Sequence, residues 1–146
     1  MYLVDTDVIS TSASYGSRSS FELVFWMDRN SARLFLSTVT VTEIEDGIAK
    51  ARREGARRKA TRLTEWIEAV LHLYGHRILP FDLAAARVAG ALSDHARGQG
   101  QNPGFADLAI AATAVTNNLT VLTRNLRHFG PLAIPVHNPF ATLPND

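Results

Sequence analysis

Four acidic side chains stand out in the sequence for what carboxylates can do together. Asp5 and Asp7 end an apolar run that begins at Tyr2, Glu43 follows a Thr-Val-Thr-Val-Thr stretch, and Asp107 interrupts a segment, residues 105–115, that is apolar nearly all round. Three of them fall at matching points of the chain. Asp5 ends the first predicted strand, Glu43 opens the helix after the second, and Asp107 starts the helix before the fourth. In a doubly wound sheet these points share one edge, the carboxyl edge where ligands bind. Carboxylates crowded there repel one another unless cations neutralise them, and hard divalent cations such as Mg²⁺ or Mn²⁺ take oxygen ligands of this kind. Such a metal lowers the pKa of bound water and offsets charge on a phosphoryl oxygen, so phosphodiester hydrolysis is the matching reaction class.

Taken singly, each acid also has a plainer account. Asp107 suits a helix N-terminus, where free amides and the dipole favour an anion. Glu43 is three residues after Thr40, the spacing of a capping box. Asp5 and Asp7 suit Asx-turns after a strand. Both accounts stand at this point.

The elements that must position these acids are legible in outline. A buried strand leads into Asp5, and residues 10–20, rich in Ser with Gly16, suggest a loop. Ser19 and Glu22 form a capping-box signal for a helix to about Arg29, with Phe21, Val24 and Phe25 as its buried stripe. A strand is expected at 34–36, a helix from Thr40 interrupted by Gly55, and an amphipathic helix over 56–74 closed by Gly75. Its apolar positions Leu63, Trp66, Ile67, Val70, Leu71 and Tyr74 recur at steps of three and four. A strand at 77–80, a helix capped by Asp82 and running to 97, a loop at 98–104, a helix over 105–117 and strands at 119–123 and 133–136 complete the chain. Strands alternating with helices imply one α/β domain, residues 1–146, with a mostly parallel sheet of four to five strands covered on both faces.

Composition bounds the partners. A hydrophobic share of 46% and a charged share of 20% are ordinary for a globular domain of 146 residues. The net charge is +1, yet seven of the 15 Lys and Arg lie between Lys50 and Arg62, with Glu54 alone to offset them. Such a run is either a solvated helical face or a row of phosphate contacts beside the acidic edge. The absence of cysteine excludes disulfides and thiolate metal sites. His72, His76, His95, His128 and His137 show no zinc spacing. No apolar run is long enough to span a bilayer, and the early Asp5 argues against a signal peptide, so a cytoplasmic protein without membrane contact is expected.

The chain resembles the PIN-domain ribonucleases of the VapC and FitB type, toxins of toxin–antitoxin pairs. The resemblance is carried by Leu-Val-Asp-Thr-Asp-Val-Ile-Ser at 3–10, Ser-Thr-Val-Thr-Val-Thr-Glu-Ile at 37–44, and Arg-Ile-Leu-Pro-Phe-Asp at 77–82. Ala-Asp-Leu-Ala-Ile-Ala-Ala-Thr-Ala at 106–114, Thr-Val-Leu-Thr-Arg-Asn at 120–125 and the late Asn-Pro-Phe complete it. It implies a three-layer α/β/α sandwich and an RNA-cleaving enzyme dependent on Mg²⁺ or Mn²⁺. It also implies that Asp5, Glu43 and Asp107 hold the metal, with Asn125 at a fourth catalytic position that is Asp in some relatives. Thr6, Asp7 and Thr123 are then expected to orient these groups, and His128 replaces an acid without becoming a ligand. Arg52, Arg53, Arg57 and Arg58 would contact RNA. The resemblance further implies a homodimer and a VapB- or FitA-like antitoxin, with operator DNA bound only through the antitoxin complex.

Two other functions fit parts of the pattern. Asp5-Thr6-Asp7-Val8 matches the aspartyl nucleophile motif of haloacid-dehalogenase-like phosphatases, although the chain is short for them and lacks a late Asp-Asp pair. A catalytically weak PIN-like module that only binds an antitoxin or DNA is the other.

Overall fold

The structure is a computed structural model that describes residues 1–14 and 18–145, without the side chains of Arg18 and Ser19. The first strand, β1 (Tyr2–Val4), leads through Asp5 into the short helix α1 (Thr6–Ile9) and a 3-10 turn, Ser10–Ala13. Helix α2 (Arg18–Arg29) precedes β2 (Leu34–Ser37), which passes directly into α3 (Thr38–Arg53). Helix α4 (Arg57–Tyr74), β3 (Ile78–Leu79) and α5 (Leu83–Gly98) follow. The chain ends with α6 (Phe105–Thr116), β4 (Thr120–Leu122), α7 (Leu126–Phe129) and β5 (Val136–His137).

The five strands form one all-parallel sheet in the order β3-β2-β1-β4-β5. β1 lies at the centre, with Leu3 opposite Phe35 of β2 and Val121 of β4. Strand order therefore reverses beside β1, which opens a crevice at the carboxyl ends of β1 and β4. Alternate side chains serve opposite faces, as the two-residue period of a strand requires. Val4, Leu34, Leu36 and Leu122 pack with Leu23, Trp26, Ile44, Ile48 and Ile67 from α2, α3 and α4. Leu3 and Val121 pack on the other face with Ile110, Ala111, Ala114 and Phe129 from α6 and α7, and Ala96 of α5 joins them. These are the expected three layers.

Several local expectations are corrected. Helix α3 starts after Ser37, whose side chain accepts from the Val39 amide, so Thr40 stands inside the helix and is buried. The buried face of α2 is Leu23, Val24, Trp26 and Met27, whereas Phe21 and Phe25 are exposed. Val24 is buried as expected; Leu23, Trp26 and Met27 take the other core positions, in one cluster with Val4 of β1 and Leu34 and Leu36 of β2. Of the loop expected at 10–20, residues 15–17 and the Ser19 side chain lie outside the described residues, while Ser10–Ala13 is a 3-10 turn. The last strand is Val136–His137, because Ala133 adopts a left-handed conformation that ends the preceding turn. The apolar stripe of α4 is spent on the core: Ile67, Val70 and Tyr74 are buried, and Leu63, Trp66 and Leu71 pack against them. Asp82 caps α5 as expected, accepting from the Ala85 amide. Among the described residues no helix is long and apolar enough to cross a membrane.

The turn between α3 and α4 is a Schellman closure: the Ala56 amide donates to the Ala51 carbonyl and the Gly55 amide to that of Arg52. Gly55 holds φ at 81°, a region that costs an L-residue about 1–2 kcal/mol. Gly55→Ala is expected to lower stability by about that amount, read as a shift of the denaturant midpoint at constant slope.

Candidate active site

Asp5 is the first residue after β1, placed by the strand at the crevice. It caps α1 through Oδ1, which accepts from the Thr6 amide at 2.8 Å, so the turn expected of it is real. Its other oxygen serves the site. Oδ2 accepts from the Thr123 hydroxyl at 2.8 Å, while the Asp5 amide donates to the Leu122 carbonyl at 2.9 Å, and the residue is only 5% exposed. Thr123 in turn accepts from the Asn125 amide. The neighbouring Asp7 accepts at Oδ2 from the Arg124 amide at 2.9 Å, and its Oδ1 is buried without a partner. Arg124 is held from behind, its guanidinium 4.0 Å above the Phe140 ring.

Glu43 lies in the second turn of α3, six residues past the cap at Ser37, so the capping-box account of it fails. Its Oε1 accepts from the Thr6 hydroxyl at 2.6 Å, a short charge-assisted bond. Thr6 thus joins two acids that are 38 residues apart, with its amide on Asp5 and its hydroxyl on Glu43.

Asp107 is in the first turn of α6, which packs on β1 and α3. Its Oδ2 stands 3.4 Å from Nδ1 of His128. The two residues share a cavity of about 390 Å³ with Asn102, Gly104 and Arg127. No spacing in the sequence marks His128, because the contact is made only when α7 folds back on α6. The aromatic clamp on Arg124 is equally silent in the sequence.

Burial sets the electrostatics. It pushes the Asp5 carboxyl up to about 6; the Thr123 hydrogen bond works against that, and the charge on Asp7 adds to it, as does that on Glu43. Burial also raises Asp7, opposed mainly by the Arg124 amide, and raises Asp107, opposed by His128. Two groups result, Asp5 with Asp7 and Glu43, and Asp107 with His128. Among the described residues no three His, Asp or Glu side chains stand in an arrangement that holds a metal ion, so Asp5, Glu43 and Asp107 do not form a ready-made cage. The donor chemistry nonetheless fits a hard cation. It consists of carboxylate oxygens on groups whose charges repel, and Asp7 beside Asp5 keeps one oxygen buried and unpartnered. Asn125 is exposed at the loop after β4, and its side chain caps nothing.

An all-parallel α/β/α sandwich with an acidic crevice at its switch point defines the class of protein. The chain belongs to the PIN domain family, whose profile matches residues 2–130. It is 34% identical over 142 residues to Toxin FitB of Neisseria gonorrhoeae, covering 96% of this chain and 99% of that one. It is 35% identical over 142 residues to VapC ribonuclease Y4jK of Sinorhizobium fredii, covering 96% and 98%. The crystal structure of FitAcB from Neisseria gonorrhoeae superposes with a TM-score of 0.83 at 34% identity over 96% of this chain and 99% of that one. With this membership the phosphatase alternative for Asp5 lapses; both its carboxylate oxygens are already engaged by Thr6 and Thr123, a poor state for a nucleophile.

An acid whose pKa is higher in the fold than in the unfolded chain binds its proton more tightly when folded. Stability is therefore lost as pH rises from 3.8 to about 6 through Asp5. Asp5→Asn keeps the shape and the acceptor for the Thr6 amide, presents an NH2 that the Thr123 hydroxyl can accept from by turning its own proton away, and removes the charge. It is expected to raise stability at pH 7 by on the order of 1–3 kcal/mol and to flatten that pH window, measured by thermal melting in the presence of a chelator.

Proposed function

We propose that the chain is a divalent-metal-dependent endoribonuclease and the toxin of a toxin–antitoxin pair. The observation that carries this is Asp5, a carboxylate buried at the switch point beside two other acids although its charge is disfavoured there. Carboxyls perturbed by burial beside other charges, in a crevice, gather at functional sites. The names of the relatives, VapC ribonuclease and Toxin FitB, point the same way.

Asp5, Glu43 and Asp107 would hold Mg²⁺ or Mn²⁺, which when bound supplies an acidified water and offsets charge on a phosphoryl oxygen. Thr123 fixes one oxygen of Asp5, and Thr6 fixes Glu43 through its hydroxyl. Asp7 fastens the loop that carries Asn125 by accepting from Arg124. Asn125, on the rim, offers an amide to water or to the ribose. The arginines divide. Arg52 donates to the Thr64 hydroxyl at 2.9 Å and so braces α3 against α4, while Arg53, Arg57 and Arg58 are exposed and suit RNA phosphates. A homodimer and a VapB- or FitA-like antitoxin complete the proposal, with operator DNA reached only through the antitoxin. The exposed Phe21, Phe25, Leu83 and Phe105 supply apolar surface for such contacts. A cytoplasmic location follows from the substrate.

The purified chain is expected to cleave RNA with Mg²⁺ or Mn²⁺ and to stop when EDTA is added. Asp5→Ala, Glu43→Ala and Asp107→Ala should each reduce the rate by roughly 100-fold or more, the scale of several kcal/mol of metal-ion stabilisation. Wild-type rates in alanine variants with native circular dichroism would refute the assignment. Expression alone should arrest bacterial growth, and co-expression of the antitoxin should restore it.

A further inference from the structure

Helices α1, α3 and α4 border a second cavity, of about 360 Å³, distinct from the one beside His128. Thr6 and Glu43 line it from the acidic crevice, and Lys59 and Arg62 line it from α4. Trp66 forms part of the wall, its indole N–H donating to the Ser12 hydroxyl at 2.9 Å. Among the described residues neither Lys59 nor Arg62 forms an ion pair.

Gly47 also lines this space, one helical turn beyond Glu43 on the same face of α3. Glycine is unfavourable within a helix. Nothing local requires it here, since its φ is not positive and a Cβ built on it meets no atom within 4 Å. What glycine leaves at this position is room, next to a candidate catalytic acid.

Apolar walls with an indole suit the face of a base, and two unpaired cations suit its phosphate. Glu43 joins this cavity to the acids where the phosphodiester would be cut. We propose that the cavity binds the nucleotide adjacent to the scissile phosphate of a single-stranded RNA, with Lys59 and Arg62 on the phosphate and Gly47 admitting the base. This rests on the ribonuclease function proposed above. It requires an unstacked base, and therefore a single strand or loop.

Binding is measured on the full chain carrying Asp5→Asn, with a labelled single-stranded oligoribonucleotide of mixed sequence. Cut-site preference is measured on the active chain by sequencing RNA ends. Gly47→Leu is expected to weaken binding by roughly tenfold or more, the size of one lost stacked base, and to alter the base preferred beside the cut. The double variant Lys59→Ala, Arg62→Ala should reduce the slope of log affinity against log salt by about 0.7, the contribution of one neutralised single-strand phosphate. Gly47→Ala, which adds a methyl to a helix that favours it, is the folding control and should melt at or above the wild-type temperature. Unchanged affinity, slope and preference in folded variants that still cleave RNA would overturn the subsite while leaving the ribonuclease standing. Variants that lose only a cognate antitoxin complex would assign the cavity to a protein partner and overturn it equally. If the wild type cleaves no RNA with either metal, the ribonuclease proposal falls first and the subsite with it.

Discussion

A single hydrogen bond, from the Thr123 hydroxyl to the buried oxygen of Asp5, is the constraint around which the crevice is arranged. It can form only because β1 and β4 are neighbours in a parallel sheet and end level with each other, with Val4 opposite Leu122. Neighbouring parallel strands whose connections lead off to opposite sides of the sheet order leave a gap at their carboxyl ends, and the next residue of each strand lies at it. In this chain those residues are an acid and a threonine. A buried carboxylate without a donor would be costly; with Thr6 and Thr123 donating, its charge is partly compensated and partly left in need of a cation.

The same incomplete compensation recurs around the site. Asp7 has one satisfied oxygen and one that is buried and bare, and the carboxylate of Asp107 stands beside the ring of His128. At the other end of the α3–α4 hairpin, Arg57 and Arg58 sit in the first turn of α4, where the helix dipole is unfavourable to cations. Negative charge is thus concentrated at one place and positive charge at another, each against local preference. Local violations of this kind gather at functional sites rather than in the core.

The layered architecture was legible in the sequence because buried parallel strands and amphipathic helices leave distinct periods, as at α4 and around Asp82. Boundaries near the site were less so. Glu43 sits at the spacing of a capping box, yet Ser37 caps the helix instead, since β2 runs into α3 without a loop and the first residue free to turn is the serine. Asp5 was identified correctly as a turn residue, since its Oδ1 accepts from the Thr6 amide. The pairing of Asp107 with His128 and the stacking of Arg124 on Phe140 join segments distant in sequence and have no periodic signature. The hydroxyl of Thr6 that ties Glu43 to Asp5 is equally without a signature, because it depends on how α1 meets α3.

The bond between Thr123 and Asp5 spans 118 residues, and the central strand precedes the other strands of its sheet in the chain. Until β4 has left the ribosome, β1 has a partner on one side only, and Asp5 has neither the hydroxyl that orients it nor the strand that buries it. Long-range parallel pairing of this kind forms slowly. A chain that stops short of residue 123 cannot assemble the crevice at all: Asp5 waits for its donor until β4 has been made.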